Sequence, residues 1–427
     1  GFLLDVYVVT DKYSIEADLR EEFFKNNPLP DSVSKKQMEN VRIIFNILDT
    51  DELAEEEYFN DINENPNTID YGPRYRFDSF LDSPEVVVKK RKINIPVITF
   101  YSYKGGVGRT TTMISYALHL AKMGKKVAII DCDLEAPGYL NFFDLSKNPK
   151  LIEGEKNGLI EFMCDSQFLG ETVEIKDYIF NVGEYDENSA DFPELKKIWI
   201  VPAGNLNEGA KDTIVSQSRR DYLEGLAKLN FGDPQTVING FYSLFERLEN
   251  LHIGAILIDS RTGFNDIFGT TAWHLSSCVV GFFGLSRQTE PGFTNLLAEH
   301  SKKGNEGDVF KLILAFSILP ENIHKIREEM QDFIDRAYGK KEPPVKCLIH
   351  RNALLESIGT GDRDVERKFI DMCITNQREQ QFLDYNRLFG TIDNTCFSHE
   401  DWNSRNRTKQ IYENDLVSCR NIVLRSE

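Results

Sequence analysis

The stretch that decides the fold runs from residue 97 to residue 133 and reads VITFYSYKGGVGRTTTMISYALHLAKMGKKVAIIDCD. An apolar segment opens it and a glycine-rich turn follows. The next segment carries Ile114, Leu118 and Ala121 at helical spacing. A second apolar segment then ends in the triplet DCD. A strand, a turn, a helix and a further strand in this order predict one unit of a parallel α/β sheet.

The glycine-rich turn has the composition that a phosphate site needs. Gly105, Gly106 and Gly108 lack Cβ atoms, so the backbone can wrap closely and aim successive N–H groups at phosphate oxygens. The helix expected from about Arg109 adds the positive end of its dipole. The hydroxyl group of Thr110 is a candidate Mg²⁺ ligand. The turn therefore predicts a site for the phosphates of a nucleotide.

The whole loop, Lys104-Gly-Gly-Val-Gly-Arg109-Thr110-Thr111, resembles the deviant Walker A loop of the ParA/MinD family of P-loop ATPases. The resemblance implies that ATP is bound by Gly105, Gly106, Val107, Gly108, Arg109, Thr110 and Thr111. It also implies that Lys104 is the signature lysine, which reaches the nucleotide of a partner subunit and so acts in catalysis.

Arg109 is a departure from the family pattern, because a lysine normally stands at that position. The chain thus resembles the arginine-bearing KGGVGR variant. Arginine keeps the positive charge but replaces a compact ammonium group with a planar fork that can hold two phosphate oxygens. We expect nucleotide binding to survive this change, while the rate of hydrolysis stays open.

Two acidic segments match further parts of the same family. Asp131-Cys-Asp133 resembles the DxD switch segment, which implies that Asp133 orients or activates the attacking water and that Asp131 serves the Mg²⁺ shell. Ala255-Ile-Leu-Ile-Asp259, followed by Ser-Arg-Thr-Gly263, resembles the Walker B strand and second switch. Asp259 would then bind Mg²⁺ through water, and the Gly263 amide would sense the γ-phosphate. An isolated aspartate is more often a helix cap or turn residue, but all three elements in family order favour a site.

Three other polar residues near these segments are candidates for a role at the site. Arg261 could reach phosphate or pair with Asp131 or Asp133, or it could form a surface salt bridge, and the sequence leaves this open. His119 and His274 lie in helix-like segments among apolar neighbours with no nucleophile in sequence reach, which favours structural roles.

Apolar segments recur through the rest of residues 96–358. They lie near 97–101, 127–131, 198–201, 254–259, 278–283, 311–317 and 345–349, with helix-length stretches between most of them. This alternation predicts an α/β fold with a doubly wound, mostly parallel sheet of the P-loop NTPase type, and residues 134–195 are expected to form an insertion. The segment 312–317 ends without the asparagine that many relatives use against the purine, so ATP is expected from the resemblance only.

The two ends of the chain differ from this core. Residues 1–70 carry 17 Asp/Glu against six Lys/Arg, which is −11 of the net charge of −18. Strand patterns at Leu3–Val9 and Val41–Leu48, with a helix capped by Ser14 between them, predict a small acidic α/β module. Residues 71–95, with the basic run Lys89–Lys92, read as a linker, and residues 359–427 as a polar, helical C-terminal extension.

Composition excludes several classes of protein. No apolar run reaches the roughly 18 residues of a membrane helix, so we expect no membrane association. The N-terminal segment does not read as a secretory signal, and a cytoplasmic location is expected. Seven cysteines without a CxxC pair favour reduced thiols over a zinc site. The charge of −18 opposes sequence-independent nucleic-acid binding, although a local basic patch could override it.

The resemblance implies a slow, Mg²⁺-dependent ATPase that forms a nucleotide-dependent homodimer and regulates an unidentified partner protein. The KGGVGR resemblance implies a role in bacterial defence or conflict systems. One alternative is a nucleotide-sensing interaction module that binds ATP or ADP without turnover. Another is a partitioning ATPase that positions DNA or cargo. A bacterial tyrosine kinase ranks below these, because the C-terminal segment has only Tyr385 and Tyr412 as scattered acceptors.

Overall fold

The computed structural model describes residues 2–9, 41–48, 93–134, 157–169, 172–204, 234–260, 266–284, 289–303, 310–319, 344–351, 363–375 and 382–397, with positions 143, 145, 148, 262, 263, 334 and 358 between them. The chain divides into two compact units, Gly1–Arg74 and Tyr75–Glu427. The helix predicted from Ser14 and the basic run at 89–92 lie outside the described residues. The domain boundaries given above stay predictions.

The first unit contains a parallel pair of strands. Strand β1 (Phe2–Val9) and strand β2 (Val41–Leu48) pair along their full lengths, with Phe2 opposite Val41 and Val9 opposite Leu48. Parallel neighbours require a crossover connection rather than a tight turn, and 31 residues separate the two strands in the sequence. Both strands lie where the apolar pattern predicted them.

The second unit is built on an eight-stranded sheet in the order β10-β9-β8-β3-β7-β4-β6-β5. Its strands are β3 (Val97–Ser102), β4 (Val127–Cys132), β5 (Phe180–Asn181), β6 (Ile198–Val201), β7 (Ala255–Ser260), β8 (Cys278–Phe283), β9 (Lys311–Leu319) and β10 (Val345–His350). All neighbours pair in parallel except β5, which runs antiparallel to β6. The predicted fold class is confirmed, and only the two-residue β5 was missed.

Helices cover both faces of this sheet. They are α1 (Arg109–Lys122), α2 (Leu159–Leu169), α3 (Val182–Tyr185), α4 (Pro234–Asn250), α5 (Asp266–Thr270), α6 (Glu290–Lys303), α7 (Arg363–Ile374) and α8 (Leu383–Cys396). A short π-helical turn at Thr271–Leu275 contains His274. Among the described helices, none is long and apolar enough to cross a bilayer.

Alternate residues of the central strands enter different apolar layers. In β4, Val127 and Ile129 pack in the layer that contains α1, α7 and α8, while Ala128 and Ile130 pack in the layer that contains α2 and α4. Strands β3, β4, β7 and β8 are buried at every position. Strands buried on both faces read as nearly continuous apolar runs, and their acidic residues, Asp131 and Asp259, lie toward the carboxyl ends, where ligands bind in such sheets.

The described part of the C-terminal segment contains the helices α7 and α8, as predicted, and one face of them is buried. Phe369 of α7 and Leu388, Phe389 and Ile392 of α8 lie in the same apolar cluster as Ile114 of α1. The helix that follows the glycine-rich loop is therefore packed between the sheet and the last described part of the chain.

A buried polar cluster joins α8 to α1. Tyr116 donates its hydroxyl hydrogen to Asp393 Oδ1 over 2.8 Å, and His119 Nε2 lies 2.9 Å from Asp393 Oδ2. Asp393 is 3% exposed. Burial raises the pKa of Tyr116 well above its ordinary value, and the Asp393 carboxylate adds to the rise, so the phenol stays a donor. His119 contributes to packing and hydrogen bonding between the two helices.

We expect Asp393→Ala to lower the free energy of unfolding by about 2–4 kcal/mol, because it leaves two buried polar groups without their acceptor. The thermal midpoint, followed by circular dichroism, measures the loss. Asp191→Ala is the matched control, since Asp191 pairs with Arg367 at 2.5 Å while both side chains are more than half exposed. Exposed pairs contribute about 0–1 kcal/mol. Equal losses in the two variants would contradict the assigned role of Asp393.

Candidate functional site

The glycine-rich loop leads from β3 into the first turn of α1. Gly106 and Gly108 each have a φ of 75°, a left-handed conformation that favours glycine. A Cβ atom added at Gly105, Gly106 or Gly108 would meet no other atom within 4 Å. The loop therefore borders open space at the N-terminus of a 14-residue helix, as a phosphate cradle requires.

Contacts from two other elements hold this loop in place. Ser317 of β9 donates its hydroxyl hydrogen to the carbonyl oxygen of Val107 over 2.7 Å in a buried position. Gly292 of α6 lies so close to Tyr103 that an added Cβ would overlap the Tyr103 side chain. The loop is thus anchored on both sides by the protein itself, which reduces the ordering that a ligand must impose.

Two carboxylates meet at the carboxyl ends of adjacent strands. Asp131 of β4 and Asp259 of β7 are partners in the strand register, and each is 2% exposed. The backbone N–H of Asp133 donates to Asp131 Oδ1 over 3.0 Å. Burial raises the pKa of the Asp131 carboxyl well above its usual range, and the Asp259 carboxylate raises it further. Arg109 acts in the opposite sense and favours the charged form of Asp131.

Thr110 and Arg109, the first two residues of α1, both contact Asp259. Thr110 Oγ1 donates to Asp259 Oδ2 over 2.8 Å, and Arg109 Nε lies 2.5 Å from Asp259 Oδ1. Arg109 also donates from Nη1 to Ser102 Oγ over 3.2 Å and contacts Asp133 Oδ2 from Nη2 at 3.4 Å. Arg109 as a whole residue is 7% exposed. One buried cation thus links both acidic segments to the loop.

The second switch glycine is held by β3. Gly263 has a φ of 76°, and its N–H donates to the carbonyl oxygen of Ser102 over 3.1 Å. Its predicted role toward a γ-phosphate therefore requires this hydrogen bond to open, and that role stays a prediction. Arg261 lies outside the described residues, and Lys104 lies in the loop with a partly exposed side chain.

The donor set fits Mg²⁺. A threonine hydroxyl and an aspartate carboxylate 2.8 Å apart are hard oxygen ligands, and Asp131 supplies a third on the neighbouring strand. The described residues contain no group of three or more His, Cys, Asp or Glu arranged to hold a metal ion alone. Mg²⁺ usually takes one or two protein carboxylates and completes its shell with water and nucleotide phosphates, which matches a sparse set of this kind.

Most predicted site residues come together at this edge of the sheet. The structure adds two that the sequence prediction missed, Ser102 and Ser317. Ser102 bonds both Arg109 and Gly263, and Ser317 bonds the loop backbone. Each is a hydroxyl residue near the end of an otherwise apolar strand, and that position was the available signal.

The parallel sheet carries a glycine-rich loop and adjoining aspartates at its carboxyl edge, the arrangement that binds the phosphates of a nucleotide in doubly wound α/β folds. Residues 95–180 match the AAA_31 family, described as an AAA domain. The chain is 48% identical over 58 residues to an uncharacterized ATP-binding protein of Methanocaldococcus jannaschii, covering 13% of this chain and 22% of that protein. It is 34% identical over 89 residues to an iron-sulfur cluster carrier protein of Pyrococcus furiosus, covering 21% and 29%.

Among solved structures, a ParA family ATPase from Chlorobium tepidum matches with a TM-score of 0.43 and 14% identity, over 69% of this chain and 98% of that one. The chain spans less than a third of the length of these two curated relatives.

We expect Asp131→Asn to stabilise the protein without ligand at neutral pH. The folded-state pKa of Asp131 is raised, so ionisation above its unfolded pKa of about 3.9 costs stability as pH rises. An amide removes that cost. The gain should be present at pH 7 and vanish near pH 4, as measured by thermal midpoints in EDTA. If the gain in stability does not change with pH, it does not come from the ionisation of Asp131.

Proposed function

We propose that this protein binds Mg-ATP, hydrolyses it slowly and uses the nucleotide cycle to switch its contact with a partner protein. The observation that carries the proposal is the meeting of Thr110, Arg109, Asp133 and Asp259 beside an anchored glycine-rich loop. The AAA domain match over residues 95–180 includes the loop and both aspartates of the DxD segment. A curated relative is named as an ATP-binding protein, which supports ATP as the nucleotide.

The residues divide the chemistry of phosphoryl transfer among them. The backbone N–H groups of the loop and the N-terminus of α1 would hold the phosphates. Thr110 and Asp259 would hold Mg²⁺, which when bound neutralises charge on the β- and γ-phosphates. Asp133 is partly exposed beside Arg109 and would orient the attacking water. Catalysis of this type depends on position and charge more than on covalent participation of the protein.

Dimerisation and partner control are the finer parts of the proposal. Lys104 is partly exposed in the loop, and we propose that it reaches the nucleotide of a second copy when two copies meet. Its effect would then resemble an arginine finger supplied in trans. The acidic N-terminal module, with −11 of the net charge, offers a docking surface for a partner with basic character. A role in bacterial defence rests on the resemblance of the loop to the KGGVGR variant.

Two functions named for similar proteins receive less support from this chain. The sequence has no CxxC pair among its seven cysteines, so we do not propose cluster transfer of the kind named for the iron-sulfur cluster carrier proteins. Partitioning on DNA would need a local basic surface against a net charge of −18.

A nucleotide sensor without turnover is the second candidate. The contact between Arg109 and Asp133 favours it, because it holds the candidate water-orienting carboxylate on the guanidinium group instead of on a water molecule. In that case ATP and ADP would change partner affinity without any phosphate release. Equal partner affinity with and without nucleotide would rule this candidate out.

We expect Thr110→Ala to weaken Mg-ATP binding at least about tenfold, because the variant loses a hydroxyl ligand of the metal. Asp133→Asn should retain binding within about threefold and lower turnover by about 10²-fold or more. Nucleotide binding is measured by titration calorimetry and turnover by released phosphate. Ser166→Ala is a control hydroxyl deletion away from the loop, where the hydroxyl bonds only to Met163 within α2. Undiminished turnover in Asp133→Asn would remove that residue from the mechanism.

The mass of the protein should depend on the nucleotide. We expect a dimer with Mg-ATP, measured by size exclusion with light scattering, and a smaller species with Mg-ADP or no nucleotide. Lys104→Ala should slow phosphate release while leaving nucleotide binding near the wild-type value, because its expected target is the nucleotide of the other copy. A mass that never changes, without phosphate release, would favour the sensor over the switch.

A further inference from the structure

We propose that Arg109 couples the binding of Mg²⁺ to the binding of nucleotide, so that each ligand binds poorly without the other. This inference rests on the proposed function, because it concerns the same site. Arg109 would occupy two positions, one on Asp259 before ligands bind and one on phosphate afterwards. It would therefore be a positioning residue that controls when the metal carboxylate becomes available.

Without ligand, both oxygens of the Asp259 carboxylate are in contact with residues of α1, one through an ion pair and one through a hydrogen bond. Asp259 Oδ1 contacts Arg109 Nε at 2.5 Å, and Asp259 Oδ2 accepts from Thr110 Oγ1 at 2.8 Å. Both oxygens of the carboxylate are thus engaged by residues of α1. A metal ion can reach Asp259 only when Arg109 and the Thr110 hydroxyl group rearrange.

Burial makes this exchange costly for either ligand alone. Asp259 is 2% exposed and Arg109 is 7% exposed. If nucleotide without Mg²⁺ attracts Arg109 to phosphate, Asp259 is left as a buried charge without compensation, which is strongly unfavourable. If Mg²⁺ without nucleotide takes Asp259, Arg109 is left buried beside a second cation. When both ligands are present, each charge has a partner again.

An arginine suits this role better than a lysine. Three separate nitrogens of Arg109 address Asp259, Ser102 and Asp133. A lysine has one nitrogen on a flexible stem and cannot hold three partners of this spacing in one geometry. The arginine that replaces the usual lysine of the loop therefore stabilises the state without ligand more strongly, and coupling between the two ligands should rise with it.

The coupling has a defined measure. It is the ratio of the dissociation constant of ADP in excess EDTA to the value in saturating Mg²⁺, and by linkage the same factor applies to Mg²⁺ affinity. ADP with a fluorescent label on its ribose serves as the probe, because no hydrolysis then enters the measurement. Association of Mg²⁺ with ADP in water is common to all variants and cancels when their ratios are compared.

The full-length chain and the variant Asp259→Asn provide the sharpest test. Without the carboxylate charge, Arg109 is free to move to phosphate, so ADP should bind about tenfold more tightly than to wild type in EDTA, within the usual range of coupling factors. In Mg²⁺ the same variant should bind more weakly, because it has lost a metal ligand. A residue that only ligated the metal would leave the affinity in EDTA unchanged.

The variant Arg109→Lys tests the other partner. Its coupling ratio should fall about tenfold relative to wild type, whatever happens to its absolute affinity. Arg247→Lys is the matched control, since Arg247 bonds to Val173 and Ser243 around α4 and should keep the wild-type ratio.

The outcomes separate this inference from the function on which it rests. If the wild-type protein binds ADP neither in excess EDTA nor in saturating Mg²⁺, the proposed function is overturned, and the inference with it. Normal Mg-ADP binding with an unchanged EDTA affinity in Asp259→Asn and an unchanged ratio in Arg109→Lys would overturn the inference alone. Tighter binding in EDTA together with a reduced ratio in Arg109→Lys supports it.

Discussion

The buried ion pair between Arg109 and Asp259 is the interaction on which the organisation of the site depends. It joins the first residue of α1 to the carboxyl end of β7, with 2.5 Å between Nε and Oδ1. A pair at this depth persists only when its charges compensate each other and further hydrogen bonds satisfy the remaining atoms. Ser102, Asp133 and Thr110 provide those bonds. The loop, both acidic strand ends and the helix are therefore held as one electrostatic unit.

The parallel sheet is what brings these groups together. In-register pairing of β4 with β7 sets Asp131 opposite Asp259, and pairing of β3 with β7 sets Phe100 opposite the same aspartate. The loop that follows β3 thus begins close to the carboxylates without any special turn. Helix α1 then has to return along the sheet, and its second residue reaches Asp259. The chemistry of the site follows from strand register more than from the loop alone.

Much of this organisation was predictable, because its signals are local. Continuous apolar strands and glycines without Cβ atoms mark β3, β4, β7 and the loop in the sequence itself. The partners of Arg109 were not predictable, since Ser102 lies seven positions away on a different element and Asp259 lies 150 positions away. The hydrogen bond from Ser317 to Val107 spans 210 positions. Contacts of this range depend on how helices and strands pack, which periodicity does not encode.

The burial of α7 and α8 also depends on long-range packing that the sequence pattern does not show. This burial affects the helix that follows the loop. Charged and other polar side chains alternate with apolar ones along both helices, so the segment reads as polar, yet Phe369, Leu388 and Phe389 form one apolar face against α1. Tyr116 and His119, two turns and more beyond the loop, are bonded to Asp393 on α8. Contacts from α8 therefore hold α1 well beyond its first turn, while the contacts of Arg109 with Asp259 and of Gly263 with Ser102 hold the end of the site that lies next to the loop.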